Sequence, residues 1–320
     1  MISSGFPPTD YRDCRLCPRR CGVDRLAGET GVCGAGADIR LGRAALHWWE
    51  EPCLVGQQGS GAVFFSHCPL RCVYCQNAEL AAGCGVVVSC ERLGDIFLEL
   101  QDVHHAANIN LVTATQYLPS LVEVLRSLRP AKLHIPVIYN TSGYETPEAL
   151  ALLDGLIDIY LVDYKYAFSE TAKRLSSAPD YPEVALRAIG MMADQVGDFT
   201  IDDATGLLKK GVIVRHLLLP GYEDESPRAL ELLRSSFGSR VKMSIMNQFV
   251  MPATLGDPTR YGLTQGVTDG AYEEILDYAD SLGIRDYFWQ VGGAQDESFI
   301  PAFDGTGVIA VAPSEEECGI

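Results

Sequence analysis

The chain is short of positive charge: 25 lysines and arginines stand against 42 aspartates and glutamates, for a formal net charge of -17. Such an excess of acid argues against non-specific binding to nucleic acid or to anionic membranes. No run of about five or six like charges breaks the mixture, and no basic cluster is interleaved with aromatics. Long apolar runs are missing too, since no stretch approaches the roughly 18 uninterrupted apolar residues of a membrane helix. The opening MISSGFPPTDYRDC has no cationic segment followed by an apolar one, so it lacks the form of a secretory signal. A cytoplasmic protein with neither nucleic acid nor membrane as partner is therefore expected. Several nucleotide and hydrolase motifs are also absent. "GQQGSG" fits neither GxGxxG nor a phosphate loop, and neither GxSxG nor HExxH occurs. Internal repeats and low-complexity tracts are lacking.

What the chain does have is sulfur. A chain of 320 residues with 47% apolar content buries enough surface to fold without disulfides. Its eleven cysteines therefore point to metal or redox chemistry rather than to a disulfide framework. Two groups stand out. Cys68, Cys72 and Cys75 fall within "FFSHCPLRCVYCQN" (64–77), directly after a short apolar run. Cys14, Cys17, Cys21 and Cys33 occupy a glycine-rich opening segment with turn formers at Pro18, Gly22, Gly31 and Gly34. Four thiols at such spacing suit a closed structural site, zinc or iron–sulfur. Three thiols leave a metal position open, as catalytic sites do. From spacing alone the triplet fits a cluster with one free iron, a zinc site completed by a remote ligand such as His67, or unliganded thiols. Cys84 and Cys90 flank "GVVVS" as ligands, a redox pair or ordinary buried thiols, while Cys53 and Cys318 read as ordinary thiols.

From about Gly59 onward strands and helices alternate. Strands are expected at 62–66, 108–114, 134–140, 157–163, 211–219 and 241–246. Between them run amphipathic stripes such as Leu93, Ile96, Phe97 and Leu100. Ser120, Thr146 and Ser226 are expected helix starts, and Gly283 an expected stop. Such βα alternation implies a mainly parallel sheet, layered or closed toward a barrel, whose chemistry sits at the C-terminal strand ends. The triplet lies on the long loop after the first of these strands.

The triplet together with "INLVTATQYLPSL", "PVIYNTSGYE", "DIYLVDYKY" and "RHLLLPG", in this order, resembles the radical S-adenosylmethionine (SAM) superfamily. Within it the chain is similar to a PflX-like group related to pyruvate formate-lyase activating enzymes. "CRLCPRRCGVDRLAGETGVCGAG" and "FIPAFDGTGV" extend the likeness to nearly the whole chain. The resemblance implies an α/β fold, a partial (β/α)6 TIM-like barrel over residues 56–250. A cysteine-rich metal-binding segment (1–55) precedes it, and an extension (251–320) packs on the barrel. It implies a [4Fe-4S] cluster on Cys68, Cys72 and Cys75 whose open iron binds SAM, and a deoxyadenosyl radical that abstracts hydrogen.

Tyr74 matches an adenine-side position. The usual Gly-Gly-Glu is replaced by Val112-Thr113-Ala114-Thr115-Gln116, where Thr113 and Thr115 offer hydroxyls to the SAM amino group. Asn140-Thr141-Ser142-Gly143 stands where activases carry Asp-Thr-Asn-Gly, which weakens a cation site there by one charge. Asp163 and Lys165 match an activase Asp-Leu-Lys, Arg215 an arginine near the SAM carboxylate, and Gln248 a ribose-contacting histidine. His47 in "LHWWEEP" belongs to the same pattern. For Arg215 a structural ion pair is the plainer alternative, and for Tyr74 simple packing under the loop. Expected partners are an external electron donor and a protein, peptide or small-molecule substrate. The N-terminal thiols imply a second iron–sulfur cluster or zinc. Activation of a glycyl radical enzyme is one expected role and modification of a peptide or metabolite another. A non-enzymatic electron carrier is the competing class, although it has no need of Asp163, Lys165 and Arg215 at strand ends.

Overall fold

The computed structural model describes residues 11–263, 266–290 and 300–309; Cys318, Phe299 and the first ten residues lie outside the described set. In chain order the strands are β1 (Ile39–His47), β2 (Ser60–Phe65), β3 (Val86–Val88), β4 (Ile109–Val112), β5 (Val137–Thr141), β6 (Ile159–Asp163), β7 (Thr200–Ile201), β8 (Leu208–Leu217), β9 (Lys242–Met246) and β10 (Tyr287–Trp289). The helices are α1 (Pro52–Val55), α2 (Ala78–Ala82), α3 (Cys90–Leu98), α4 (Leu118–Leu128), α5 (Pro147–Leu153), α6 (Ser169–Ser176), α7 (Tyr181–Val196), α8 (Glu225–Phe237) and α9 (Asp269–Ser281).

One sheet runs β10-β9-β8-β6-β5-β4-β2-β1-β3. It is parallel from β10 through β2, while β1 joins β2 and β3 joins β1 antiparallel. The small β7 pairs antiparallel with the start of β8. The result is a partial TIM-like barrel with open edges, and all six expected strands are present as β2, β4, β5, β6, β8 and β9. β1 was not expected. Its glycine and arginines blur the alternation, yet it pairs residue for residue with β2 from Ala44 to His47.

Strand alternation sorts the core. Ile138, Ile159, Leu161 and Ile213 form one inner cluster with Cys53 and Leu54, so the short α1 plugs the concave side. Val137, Tyr139, Tyr160, Val162, Val212 and Val214 belong instead to the outer cluster, which also holds the buried faces of α3 to α9. Side chains two apart share a face. Asn140 therefore follows Ile138, Asp163 follows Leu161 and Arg215 follows Ile213 on the concave side. The polar residues that end these strands all face one cavity.

Of the expected helix starts, Thr146 agrees, Ser226 agrees to within one residue, and Ser120 is corrected. Thr146 caps α5, its Oγ1 accepting from the Ala149 N–H at 3.2 Å. The helix expected from Ser120 already begins at Leu118, with Pro119 in its first turn, and the Ser120 hydroxyl is paired with Tyr11 at 3.1 Å. Ser226 lies inside α8 and its hydroxyl meets His216 Nε2 at 2.9 Å. In both cases a tertiary partner took the side chain a local cap would have used. Gly283 follows the end of α9 with φ 73°, the left-handed stop that glycine favours.

Candidate active site

The triplet sits on the loop from β2 to α2. Left-handed backbone at His67 (φ 72°) and Arg71 (φ 53°) curls the loop, a conformation non-glycine residues adopt only when held there. Several anchors do the holding. Gln116 Nε2 donates to Ser66 O at 2.8 Å and Arg19 donates to Pro69 O at 3.1 Å and Leu70 O at 3.2 Å. The Val73 N–H is bonded to Leu175 O at 2.9 Å. Ser176 then donates its hydroxyl to Cys72 Sγ at 3.1 Å. None of the ten cysteines among the described residues is in a disulfide.

The three sulfurs line a cavity of about 220 Å³ whose walls also carry Tyr74, Thr113, Asn140, Thr141, Ser142, Asp163, Lys165, Arg215 and Gln248. Every strand of the parallel run from β2 to β9 contributes a residue at or beyond its C-terminal end. Tyr74 is buried, edge-on to Tyr166 (centroids 6.3 Å) and tilted against Phe249 (6.1 Å). It packs under the loop and also lines the cavity. Thr113 takes φ 60° as the chain leaves β4. Gly143 is required next to β6: a Cβ there would lie 2.7 Å from Asp163 O, at φ 77°.

Charge at the site is arranged in pairs. Lys165 Nζ meets Asp163 Oδ2 at 2.7 Å. Burial works against the lysine's charge, but Asp163 and the thiols of Cys72 and Cys75 outweigh it, and its pKa is raised. Burial pushes the Cys68 thiol up to about 11 and Cys75 up to about 12, and the charge of the neighbouring triplet sulfurs adds to both. A bound metal ion would offset the penalty that burial places on the charged forms of Cys68 and Cys75. Arg215 is the middle of a buried triad: its Nε donates to Glu51 at 2.8 Å and its Nη2 to Glu51 at 2.6 Å and to Glu50. The arginine thus lines the cavity and is also the structural ion pair.

Some expected residues sit elsewhere. Thr115 does not line the cavity. After the turn at Thr113 the chain enters a short 3-10 helix, and the Thr115 hydroxyl donates to Glu145 Oε1 at 2.7 Å behind it. Glu145 is buried and also receives Thr141 at 2.5 Å and Tyr139 at 3.3 Å, leaving Oε2 without a partner among the described residues. Burial raises its carboxyl to about 7, against those hydroxyl donors. Gln248 lines the cavity with its Oε1 accepting from Gln290 at 2.6 Å. His47 also lines it, edge-on to Phe64 at 5.9 Å, and burial lowers its pKa. The N-terminal four, Cys14, Cys17, Cys21 and Cys33, do not line this cavity. Cys84 and Cys90 lie apart from it as well. Glu50, Glu51 and Glu145 were missed from sequence; the doubled glutamate after "WW" in "LHWWEEP" was the visible signal.

A sulfur-bearing loop after the first parallel strand, facing a polar cavity at the strand ends, defines a class of α/β-barrel protein whose chemistry is anchored on cysteine. Residues 62–233 match the model of the Radical SAM superfamily, more than half of the chain, and the chain belongs to that superfamily. Among curated proteins it is 28% identical over 223 residues to the uncharacterized protein MJ0674 of Methanocaldococcus jannaschii, covering 67% of this chain and 59% of that one. It therefore spans about three-fifths of that relative. Among solved structures, Streptococcus suis SuiB bound to S-adenosylmethionine matches with TM-score 0.50 and 11% identity, over 71% of this chain and 49% of that one. SuiB bound to the precursor peptide SuiA matches with TM-score 0.48 and 13% identity, over 70% and 46%. At 11% identity the likeness to the SAM-bound structure is one of fold alone.

The superfamily implies a [4Fe-4S] cluster and SAM, and the donor set fits them. Three disulfide-free thiols line one cavity. Among the described residues no three Cys, His, Asp or Glu side chains gather around a single metal ion. A cubane does not need that, because each thiolate binds a different iron.

Proposed function

We propose that this chain is a radical SAM enzyme in which Cys68, Cys72 and Cys75 hold the cluster and the cavity beside them receives SAM. The observation that carries this reading is the meeting of three free thiols with strand-end polar residues around one cavity. When bound and reduced by an external one-electron donor, the cluster supplies cleavage of SAM to methionine and a 5′-deoxyadenosyl radical, which takes hydrogen from the substrate. The chain's own residues bind and orient. Thr113, Asn140, Thr141 and Ser142 offer polar contacts along one wall. The Asp163–Lys165 pair keeps a fixed charge next to the sulfurs, and Tyr74 gives an apolar face. Gln248 offers its amide from the opposite side. Arg215 acts through the Glu50–Glu51 clamp, which holds it in place. Thr115 is left out of this set, since its hydroxyl is spent on Glu145.

The substrate is read as a peptide or protein segment, in its finer form the glycine-bearing loop of a glycyl radical enzyme. Trp49, Ile300 and Pro301 line the cavity, and Trp48 and Trp49 are about half exposed (49% and 53%). Exposed aromatic side chains beside an open cavity suit contact with an extended chain. The test is anaerobic: load the protein with iron and sulfide, reduce it, add SAM and measure 5′-deoxyadenosine. The native protein should form it, and a loaded, SAM-supplied protein that forms none refutes the reading.

A further inference from the structure

The four N-terminal cysteines stand apart from the cavity just described, and their surroundings carry a charge imbalance. Cys14 and Cys33 are buried, and Cys17 and Cys21 are partly exposed. Left-handed backbone at Arg20 (φ 43°), Gly22 (φ 68°) and Gly34 (φ 80°) winds the segment back on itself. Gly31 is pressed under Cys21, where a Cβ would lie 2.7 Å from the sulfur. Donors point at three of the four sulfurs. The Val32 N–H reaches Cys21 Sγ at 3.3 Å, the Ala35 N–H reaches Cys33 Sγ at 3.4 Å, and Arg25 Nη1 lies 3.8 Å from Cys14 Sγ.

Arg25 is the telling neighbour. It is 2% exposed, yet among the described residues it has no carboxylate partner. Its donors go to Gly36 O at 3.1 Å, to Gln116 O at 2.6 Å and to the Cys14 sulfur. Its guanidinium lies over the rings of Tyr11 (4.5 Å) and Tyr117 (5.8 Å). A buried cation without an anion is strongly unfavourable. Neutral thiols leave it so. Four cluster-bound thiolates do not, because their charge outweighs the dipositive charge of an oxidised cubane.

We infer that Cys14, Cys17, Cys21 and Cys33 hold a second centre, an iron–sulfur cluster rather than a single metal ion, whose net negative charge is partly offset by the buried Arg25. The centre is keyed to the first site. Arg19, two residues after Cys17, donates to Pro69 O and Leu70 O of the triplet loop and to Ser176 O at 2.6 Å. Arg71 of that loop returns a bond to Val32 O at 3.1 Å. Metal at the N-terminal set therefore also holds the segment against which the triplet loop is braced. The inference does not depend on SAM chemistry at the first site.

The test uses the full chain, purified without oxygen, as native protein and as C68S/C72S/C75S. Metal content, acid-labile sulfide and Mössbauer spectra are read on both. Iron with acid-labile sulfide should remain on the triple variant; zinc without sulfide would count against the inference. In native protein, iodoacetamide labelling mapped by mass spectrometry should spare Cys17 and Cys21 until the metal is stripped. Arg25→Met should weaken retention of that metal by about tenfold or more in chelator competition, the scale of losing a supporting neighbour. A triple variant that keeps its circular dichroism spectrum but carries no metal would overturn the inference. So would prompt labelling of Cys17 and Cys21 in metal-loaded native protein, or retention unaffected by Arg25→Met.

Discussion

The loop of Cys68, Cys72 and Cys75 and the loop of Cys14, Cys17, Cys21 and Cys33 touch through Arg19 and Arg71, yet their surroundings differ. Around the triplet the neighbours are strand-end residues with charges already paired, Lys165 to Asp163 and Arg215 to Glu50 and Glu51, and a cavity stands open beside the sulfurs. Around the four-cysteine loop the neighbours are backbone N–H groups, glycines and an arginine that has no carboxylate partner among the described residues. The same side chain serves two ends. Where charges are paired and a cavity adjoins the sulfurs, sulfur can present a metal to a ligand; where a buried cation is left over, it can close around one.

The largest effect expected from this contrast is at the triplet. Cys72→Ala should reduce 5′-deoxyadenosine formation to background while leaving the N-terminal metal in place, as measured by product chromatography with metal analysis. Unchanged cleavage would sink the assignment of the triplet. Next is the settled charge. Arg215→Met strands two carboxylates whose side chains are only 6% and 5% exposed, which should cost about 3–5 kcal/mol in urea unfolding. A loss no larger than that of a surface pair would show that the triad is not held as described.

Glu145 supports Thr141 from behind the cavity, and its effect depends on pH. Folded, its carboxyl keeps a proton up to about 7, while the unfolded chain loses it near 4.5. The folded state thus binds more protons across that window, and stability falls as pH rises through it. Glu145→Gln should remove that fall, so urea midpoints at pH 5 and pH 8 should lie closer together than in the native protein. The smallest effect is at Thr146, whose Oγ1 caps α5 and donates to Leu16 O at 3.3 Å between Cys14 and Cys17. Thr146→Ala should cost about 1 kcal/mol in thermal unfolding.

Much of this arrangement was legible in the sequence. Apolar runs such as "IDIYLVD" and the stripe from Leu93 to Leu100 marked the βα units, because buried parallel strands and amphipathic helices each impose their own period. The triplet and the motifs after it marked the strand ends that meet at the cavity. Other features were hidden for physical reasons. β1 is irregular in pattern and forms because β2 offers it an edge. Ser120 and Ser226 look like helix caps, but partners more than a hundred residues away or across a strand claim them: Tyr11 in one case, His216 in the other. Thr115 sits one turn beyond Thr113, and the left-handed φ at Thr113 sends it behind the cavity instead of into it.

By itself the sequence determined the kind of fold, the spacing of both cysteine groups and the superfamily, since these rest on local period and short-range motif. Only the tertiary structure decided which charges cancel. Glu50 and Glu51 precede Arg215 by 165 and 164 residues, and α1 had to enter the concave side of the sheet before they could meet it. It also decided that Arg25 is buried with the Cys14 sulfur for a neighbour and, among the described residues, no carboxylate partner. Burial and pairing are properties of packing, and packing joins residues that sequence distance keeps apart.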